Sequence, residues 1–253
     1  MYQPGGGNCI VNVIKVKDYD EMSEKATEFM VDRINSLKNP VLGLATGSTP
    51  EGLYQRIIEK HQQDEVSFKN VTTFNLDEYV GLEQNDSNSY YNFMNEKLFS
   101  QVDIAADRVH IPNGVAADLE KECMEHERAI EQAGGIDVQV LGIGGNGHIG
   151  FNEPGTSFDS KTHIVDLDES TIQANARFFH SIEEVPTQAI SMGIETIMNS
   201  KEILLLVSGE AKADATAKLL HGDISEDFPA SILKKHENVT VIVDQAALEW
   251  CRG

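Results

Sequence analysis

Short runs of aliphatic residues alternate with longer amphipathic segments along the whole chain. The runs are rich in β-branched residues, and the longer segments carry apolar residues at about helical spacing, so they predict strands and helices in turn. The predicted strands are residues 10–16, 41–45, 71–75, 109–111, 138–143, 163–165, 203–207 and 239–243. The predicted helices are residues 19–37, 50–61, 89–99, 118–132, 186–198 and 210–220. This alternation indicates an α/β fold with an open, mainly parallel sheet and helices on both faces.

The length and the uninterrupted pattern predict one structural unit. The chain has 253 residues, of which 40% are hydrophobic, so it is long enough to bury a large core. It shows no internal repeat, and its one stretch rich in glycine, asparagine and proline, residues 142–160, directly follows a predicted strand. We therefore expect residues 1–253 to form a single α/β catalytic domain, with its ligand site in the loops at the carboxyl ends of the strands.

The charge balance excludes one class of partner. The chain has 20 Lys and Arg residues against 41 Asp and Glu residues, a net charge of -21. Binding to nucleic acid needs clustered Lys and Arg to neutralise phosphates, so we expect no nucleic-acid partner. An acidic protein that binds a phosphorylated ligand must instead build a local positive site from a few basic residues.

Cysteine usage and hydropathy favour a cytoplasmic protein without a structural metal. The three cysteines lie far apart and form no CxxC pair, so they predict neither a disulfide framework nor a zinc site. The longest aliphatic run, residues 203–207, is too short to cross a bilayer, and the first residues lack a basic region followed by an apolar stretch. We therefore expect no membrane partner.

The first loop of chemical interest is Ala-Thr-Gly-Ser-Thr-Pro at residues 45–50. Gly47 allows a tight turn, Ser48 and Thr49 supply hydroxyls, and proline suits the first turn of the helix that follows. Backbone N–H groups at such a helix start favour a phosphate. An ordinary helix cap without a ligand is the alternative, and the loop lacks the Gly-Lys-Ser/Thr of a Walker A motif.

Two adjacent carboxylates, Asp77 and Glu78, follow the predicted strand at residues 71–75. Neighbouring side chains on an extended segment point to opposite sides, so only one of the two can easily face a pocket. The carboxylate that faces the pocket is a candidate base, and the other is expected to be structural. A helix cap or a turn is the alternative role for either one.

The third loop, residues 141–154, is the most informative stretch of the chain, with the sequence Leu-Gly-Ile-Gly-Gly-Asn-Gly-His-Ile-Gly-Phe-Asn-Glu-Pro. Three of its glycines match the G-x-G-x-x-G spacing of a dinucleotide fingerprint. That fingerprint requires a helix to open at the third glycine, and no helical apolar pattern follows here. We interpret the glycines instead as letting the backbone approach a small ligand and present His148 to it, with Glu153 orienting or charging the imidazole.

Two basic residues are candidates for the local positive site. Lys212 follows a buried-looking strand and a glycine, in the first turn of a predicted helix, where the helix dipole disfavours a cation unless an anion lies nearby. Arg177 lies in the segment Ala-Asn-Ala-Arg-Phe-Phe at residues 174–179. A solvated surface cation is the alternative for each.

Together these motifs resemble those of the glucosamine-6-phosphate deaminases, also called isomerases, whose wider fold group includes sugar-phosphate isomerases and 6-phosphogluconolactonases. The resemblance covers essentially the whole chain in five ordered motifs, namely LATGSTP at residues 44–50, TFNLDEYVGL at 73–82, GNGHIGFNEPGT at 145–156, ANARFF at 174–179 and SGEAK at 208–212. LDEY and GHIGFNEP are highly specific, whereas TGSTP alone is moderately so. The resemblance implies a Rossmann-like fold and the conversion of glucosamine 6-phosphate and water to fructose 6-phosphate and ammonia, without a cofactor or a metal.

The resemblance also implies a role for each candidate residue. Asp77 would be the base that transfers a proton, His148 the acid/base that opens the sugar ring, and Glu153 the carboxylate that tunes this histidine. The residues that would hold the substrate phosphate are Gly47, Ser48, Thr49, Arg177 and Lys212. Asn146 stands where some family members carry an aspartate; an asparagine can hold the imidazole by a hydrogen bond but cannot stabilise its cation by charge.

Other interpretations predict different chemistry. A 6-phosphogluconolactonase would use the histidine to hydrolyse a lactone, but it gives Asp77 no evident task as a base at carbon. A non-catalytic sugar-phosphate sensor would bind a similar ligand without turnover. A dinucleotide dehydrogenase is supported only by the spacing of the glycines. Relatives in the family occur as monomers and as larger assemblies, so a homo-oligomer is compatible with the sequence.

Overall fold

The computed structural model describes residues 11–176 and 179–248. The strands are β1 Val11–Val16, β2 Val41–Leu44, β3 Thr72–Asn75, β4 Asp77–Tyr79, β5 Val109–His110, β6 Val138–Leu141, β7 His163–Asp166, β8 Gln188–Ser191, β9 Glu202–Val207 and β10 Val239–Asp244. The α-helices are α1 Tyr19–Ser36, α2 Glu51–Gln62, α3 Tyr90–Lys97, α4 Leu119–Gln132, α5 Glu169–Asn175, α6 Ile194–Met198 and α7 Ala213–His221.

The main sheet has seven strands in the order β1-β10-β9-β6-β2-β3-β5, and every neighbouring pair is parallel. Its central strands are buried on both faces, as the continuous aliphatic run of β9 requires. One face packs against α1, α2 and α3, and the other packs against α4, α6 and α7. This arrangement confirms the predicted open, mainly parallel sheet with helices on both faces.

The order of the strands fixes where a ligand can bind. From β2 the chain proceeds outward through β3 and β5, then returns to β6 on the other side of β2 and continues to β9 and β10. The strand order therefore reverses between β2 and β6. In open α/β sheets a crevice forms at such a switch point, outside the carboxyl ends of the strands. The loops that follow β2 and β6 are residues 45–50 and the stretch that contains His148.

A second sheet was not predicted from the sequence. It has three antiparallel strands in the order β4-β8-β7, and Asp77 and His163 both pair with Ser191 of the middle strand. The strand predicted at residues 163–165 exists, but it belongs to this small sheet rather than to the parallel one. The small sheet matters for function because β4 carries the two adjacent carboxylates of the second loop.

The predicted helix at residues 186–198 is wrong over its first half. Residues 188–191 form β8, and only Ile194–Met198 is helical. β8 is the middle strand of its sheet, and Ala189 and Ile190, whose side chains point to opposite faces, are both fully buried. A short apolar run that is buried on both sides lacks the alternation that distinguishes a strand from a helix. The helix α5 was missed altogether.

The other helices lie close to their predicted positions. The predicted helix at residues 210–220 begins as a 3-10 turn over Glu210–Lys212 and continues as α7. No helix opens at Gly147, so the local structure that a dinucleotide fingerprint requires is absent from residues 142–160. None of the helices within residues 11–176 and 179–248 is long and apolar enough to cross a membrane.

Candidate active site

A cavity of about 1010 Å³ opens at the carboxyl ends of the central strands. Its walls come from the loops that follow β2, β6 and β9 and from the small sheet. The sequence-predicted residues that line it are Gly47, Ser48, Thr49, Asp77, Asn146, His148 and Lys212. Glu153 stands behind His148 and contacts it, and Arg177 lies outside the described residues. The fold thus brings together groups that are up to 165 positions apart in the chain, from Gly47 to Lys212.

The loop after β2 lines this cavity. Gly47 has a φ of 90°, a left-handed conformation that favours glycine. Pro50 stands at the N-cap of α2, and its own side chain forms no capping hydrogen bond. The hydroxyl of Tyr19 donates to the carbonyl of Ser48 over 2.8 Å and accepts from the N–H of Gly52 over 2.9 Å, which ties the loop to α1. A helix start beside a cavity suits an anion.

Lys212 lines the same cavity from the turn that follows β9. Gly209, with a φ of 94°, turns the chain after β9, and Asp244 holds this turn by accepting from the Ser208 hydroxyl over 2.5 Å and from the Gly209 N–H over 3.1 Å. Partial burial lowers the pKa of Lys212. Within the described residues no carboxylate pairs with this ammonium. A half-buried cation that none of the described carboxylates pairs with suits an anionic ligand.

Asp77 and Glu78 are separated by the pleat of β4. Asp77 lines the cavity with an exposed fraction of 6%, and Glu78 is buried behind the strand at 3%. Burial, together with the charge of Glu78, raises the pKa of Asp77 to about 8. The backbone of Gly150 lies against Asp77, since a Cβ built on this glycine falls 3.7 Å from Oδ2.

Glu78 anchors α3. Its Oε1 accepts from the backbone N–H groups of Tyr79 and Tyr90, and its Oε2 accepts from that of Tyr91, each over 2.9 Å. The hydroxyl of Ser89 accepts from the N–H of Asn92 over 3.0 Å, so the start of the helix is fully capped. Of the two carboxylates, Glu78 is therefore occupied by the backbone and Asp77 faces the cavity.

His148 is held by its glycine-rich loop and by a carboxylate. Its Nδ1 lies 3.4 Å from Oε1 of Glu153. The amide of Asn146 donates to Oε2 of Glu153 over 2.5 Å, and its carbonyl oxygen accepts from the N–H of His148 over 3.1 Å. The backbone of Gly144 lies directly against the imidazole, because a Cβ there would fall 2.3 Å from Cε1.

Glu153 is a shielded carboxylate with donors on both oxygens. Burial alone would raise its pKa, but the nearby imidazole of His148 and the hydrogen bonds from Asn146 and Thr171 outweigh burial and hold the pKa below its usual value. The Thr171 hydroxyl donates to Oε1 over 3.1 Å. The carboxylate therefore stays ionised beside His148 at neutral pH.

The sequence did not predict several residues of the cavity wall. Tyr79, Tyr90, Phe151 and Phe179 form an aromatic wall, in which the rings of Tyr90 and Phe151 stack at 6.1 Å between centroids. Thr171 also lines the cavity. Tyr79 belongs to the LDEY motif and could have been found there, whereas no local pattern distinguishes Thr171.

Comparison with known proteins identifies the family of this chain. Residues 17–242 match the family described as glucosamine-6-phosphate isomerases/6-phosphogluconolactonase. The glucosamine-6-phosphate deaminase of Oceanobacillus iheyensis is 60% identical over 239 residues, which cover 94% of this chain and 96% of that protein. Glucosamine-6-phosphate deaminase 1 of Bacillus subtilis is 54% identical over 237 residues, which cover 94% and 98%.

Solved structures extend the comparison to the fold. The structure of a monomeric glucosamine-6-phosphate deaminase is 53% identical, has a TM-score of 0.92, and matches 94% of this chain and 99% of that one. A 6-phosphogluconolactonase from Trypanosoma cruzi has a TM-score of 0.80 at 19% identity, covering 99% and 100%, which shows a shared fold. These matches confirm the resemblance found in the motifs. The chain belongs to the family of glucosamine-6-phosphate isomerases and 6-phosphogluconolactonases.

Proposed function

We propose that this protein is a glucosamine-6-phosphate deaminase, which converts glucosamine 6-phosphate and water to fructose 6-phosphate and ammonia. The observation that carries the proposal is the single cavity lined by Asp77, His148 and Lys212, which offers a base, an acid/base and an anion site together. Relatives that are 60% and 54% identical over 94% of the chain bear this name. The 6-phosphogluconolactonase of known structure is only 19% identical, so its likeness shows the fold alone.

In this proposal, the phosphate of the sugar binds between Lys212 and the start of α2. The N–H groups of the loop with Gly47, Ser48 and Thr49 would donate to its oxygens, and the ammonium would supply charge. Arg177, which lies outside the described residues, would add a second cation. Binding energy from this remote group fixes the reacting carbons relative to the catalytic side chains.

Ring opening is the task of His148. The bond between C1 and the ring oxygen breaks, the ring oxygen gains a proton, and the C1 hydroxyl loses one to leave an aldehyde, so no net proton is consumed. An imidazole can give and take these protons near neutral pH. Glu153, kept ionised by its donors, orients the ring and stabilises its cation. Asn146 contributes by holding Glu153.

Isomerisation is the task of Asp77. In its ionised form it removes the proton from C2 while the aldehyde oxygen gains one, which gives an enolamine. Return of the proton to C1 leaves an imine at C2, water adds to this carbon, and ammonia departs. With a pKa of about 8, Asp77 is mostly protonated at neutral pH before the substrate binds. The ammonium group of the substrate favours its ionised form once the sugar is bound.

The proposal is tested by incubating purified protein with glucosamine 6-phosphate and following ammonia and fructose 6-phosphate together. We expect equal amounts of both products from the wild type and none from Asp77→Asn, which keeps the shape of the side chain but cannot act as the base. Hydrolysis of 6-phosphogluconolactone without ammonia release would favour the lactonase. Binding without turnover would favour a sensor.

We expect activity from a single copy of the chain. The related solved structure is described as monomeric. Sedimentation of the active protein at assay concentration tests this expectation, and a dimer that loses activity on dilution would contradict it.

A further inference from the structure

Thr171 contacts Glu153 from a position outside the five sequence motifs. It lies in α5, it lines the cavity, and its hydroxyl donates to Oε1 of Glu153 over 3.1 Å. Glu153 itself belongs to the loop that follows β6. The hydrogen bond therefore joins two separate segments of the cavity wall.

The geometry around Glu153 shows what this bond does. Oε2 is held by the amide of Asn146, and Oε1 is the oxygen that lies 3.4 Å from Nδ1 of His148. A carboxylate held at one oxygen can still rotate about that contact, whereas a donor on each oxygen fixes its plane. A carboxylate oxygen has two lone pairs, so Oε1 can accept from Thr171 and from His148 together.

The hydroxyl of Thr171 does not serve only to bond the backbone of its own helix. Threonine side chains within helices commonly donate to a carbonyl of the preceding turn. The hydroxyl of Thr171 donates instead across the cavity wall, to a group 18 positions earlier in the chain. The same bond contributes to the low pKa of Glu153.

We propose that Thr171 is a positioning residue that fixes the carboxylate of Glu153 so that Oε1 faces His148. This inference rests on the proposed function, since its kinetic effect concerns ring opening by His148. Thr171 itself touches no reacting atom; it acts through Glu153.

Two variants separate the hydroxyl from the rest of the side chain. Thr171→Val keeps the shape and removes the donor, whereas Thr171→Ser keeps the donor and removes the methyl group. We expect kcat of Thr171→Val to fall roughly tenfold, as for one lost hydrogen bond to a charged group, with little change in KM. Thr171→Ser should retain most of the activity. Equal kcat values in Thr171→Val and the wild type, or equal losses in both variants, would overturn the proposal.

A second measurement does not depend on turnover. The ionisation of Glu153 can be followed by 13C NMR of labelled glutamate, with Glu153→Gln to assign the signal. Removing a donor from the ionised carboxylate raises its pKa, so we expect a higher pKa in Thr171→Val and a near wild-type pKa in Thr171→Ser. An unchanged pKa in Thr171→Val would contradict the contact. If the wild type produced no ammonia, the proposed function would fail while this titration still tested the contact.

Discussion

The amide of Asn146 donates to Oε2 of Glu153 over 2.5 Å while its carbonyl oxygen accepts from the backbone N–H of His148 over 3.1 Å. A backbone N–H can only donate, so the amide oxygen must face it and the NH2 group must face the carboxylate. Asn146 thus supports the histidine indirectly, by holding Glu153. The aspartate of some relatives could not donate this bond in its ionised form.

Asn146→Asp is expected to make activity sensitive to pH. Two carboxyl groups at this distance must share a proton, and they repel each other once that proton leaves. The ratio of mutant to wild-type kcat/KM should therefore fall as pH rises. Assays of both proteins from about pH 6 to about pH 9 check this. A ratio that stays constant would show that Glu153 does not depend on the amide.

Gly144→Ala should displace the imidazole. The new Cβ would lie 2.3 Å from Cε1 of His148, although the backbone conformation of Gly144 suits any residue. We expect kcat to fall roughly 10- to 100-fold with little loss of stability, because the ring must leave the position that the proposed ring opening requires. Gly145→Ala is the matched control, since a Cβ there meets nothing within 4 Å. Equal activity in the two variants would remove this packing from the mechanism.

Lys212→Ala should weaken binding of the phosphorylated sugar. The ammonium is half-buried, and loss of a charge-assisted hydrogen bond lowers kcat/KM by roughly 10- to 100-fold. Lys218→Ala removes an exposed lysine of α7, the helix that follows Lys212, and serves as the control. Steady-state kinetics with glucosamine 6-phosphate measure the effect. Unchanged kinetics in Lys212→Ala would exclude this residue from the phosphate site.

The ionisation of Asp77 should control both activity and stability. Because the base must be ionised, kcat/KM of the wild type should rise with pH and level off above about 8, the pKa of the free enzyme. The folded pKa lies above the ordinary value of 3.8, so the folded protein holds the proton more tightly. The stabilisation that this protonation gives to the folded state is fully present below about pH 4. It decreases as pH rises towards about 8, by up to about 1.4 kcal/mol per pH unit.

Asp77→Asn removes this dependence. Its free energy of unfolding should exceed that of the wild type by more at about pH 8 than at about pH 5. Urea denaturation at the two values measures the difference, and Asp159→Asn, at an exposed carboxylate, is the control. A stability gain that does not change with pH would contradict the raised pKa.

Glu78→Gln should show how the carboxylate of Glu78 contributes to the anchoring of α3 and how its charge affects Asp77. The carboxylate accepts three backbone N–H groups, and a glutamine turns its NH2 towards one of these donors. We expect the free energy of unfolding to fall by about 1–3 kcal/mol. The pH profile of kcat/KM should also move to lower pH, because the charge of Glu78 raises the pKa of Asp77. An unmoved profile would show that burial alone sets that pKa.

The sequence by itself determined the main sheet and the loops that carry its chemistry. Aliphatic runs such as β9 and amphipathic segments such as α1 are local signals, because burial of a whole strand or of one helix face is recorded in consecutive residues. The glycine-rich stretch around His148 and the paired carboxylates after β3 could be found in the same way.

Only the tertiary structure decided how these parts meet. The small sheet depends on pairing of Asp77 and His163 with Ser191, contacts between distant segments that leave no periodic pattern. Because of the same pairing, residues 188–191 form a strand, and the side chain of Asp77 rather than that of Glu78 faces the cavity. The proposed role of Thr171 likewise follows only from its contact with Glu153, which the sequence does not indicate. Local periodicity records whether a residue is buried, whereas the partner that buries it is set by the packing of the whole chain.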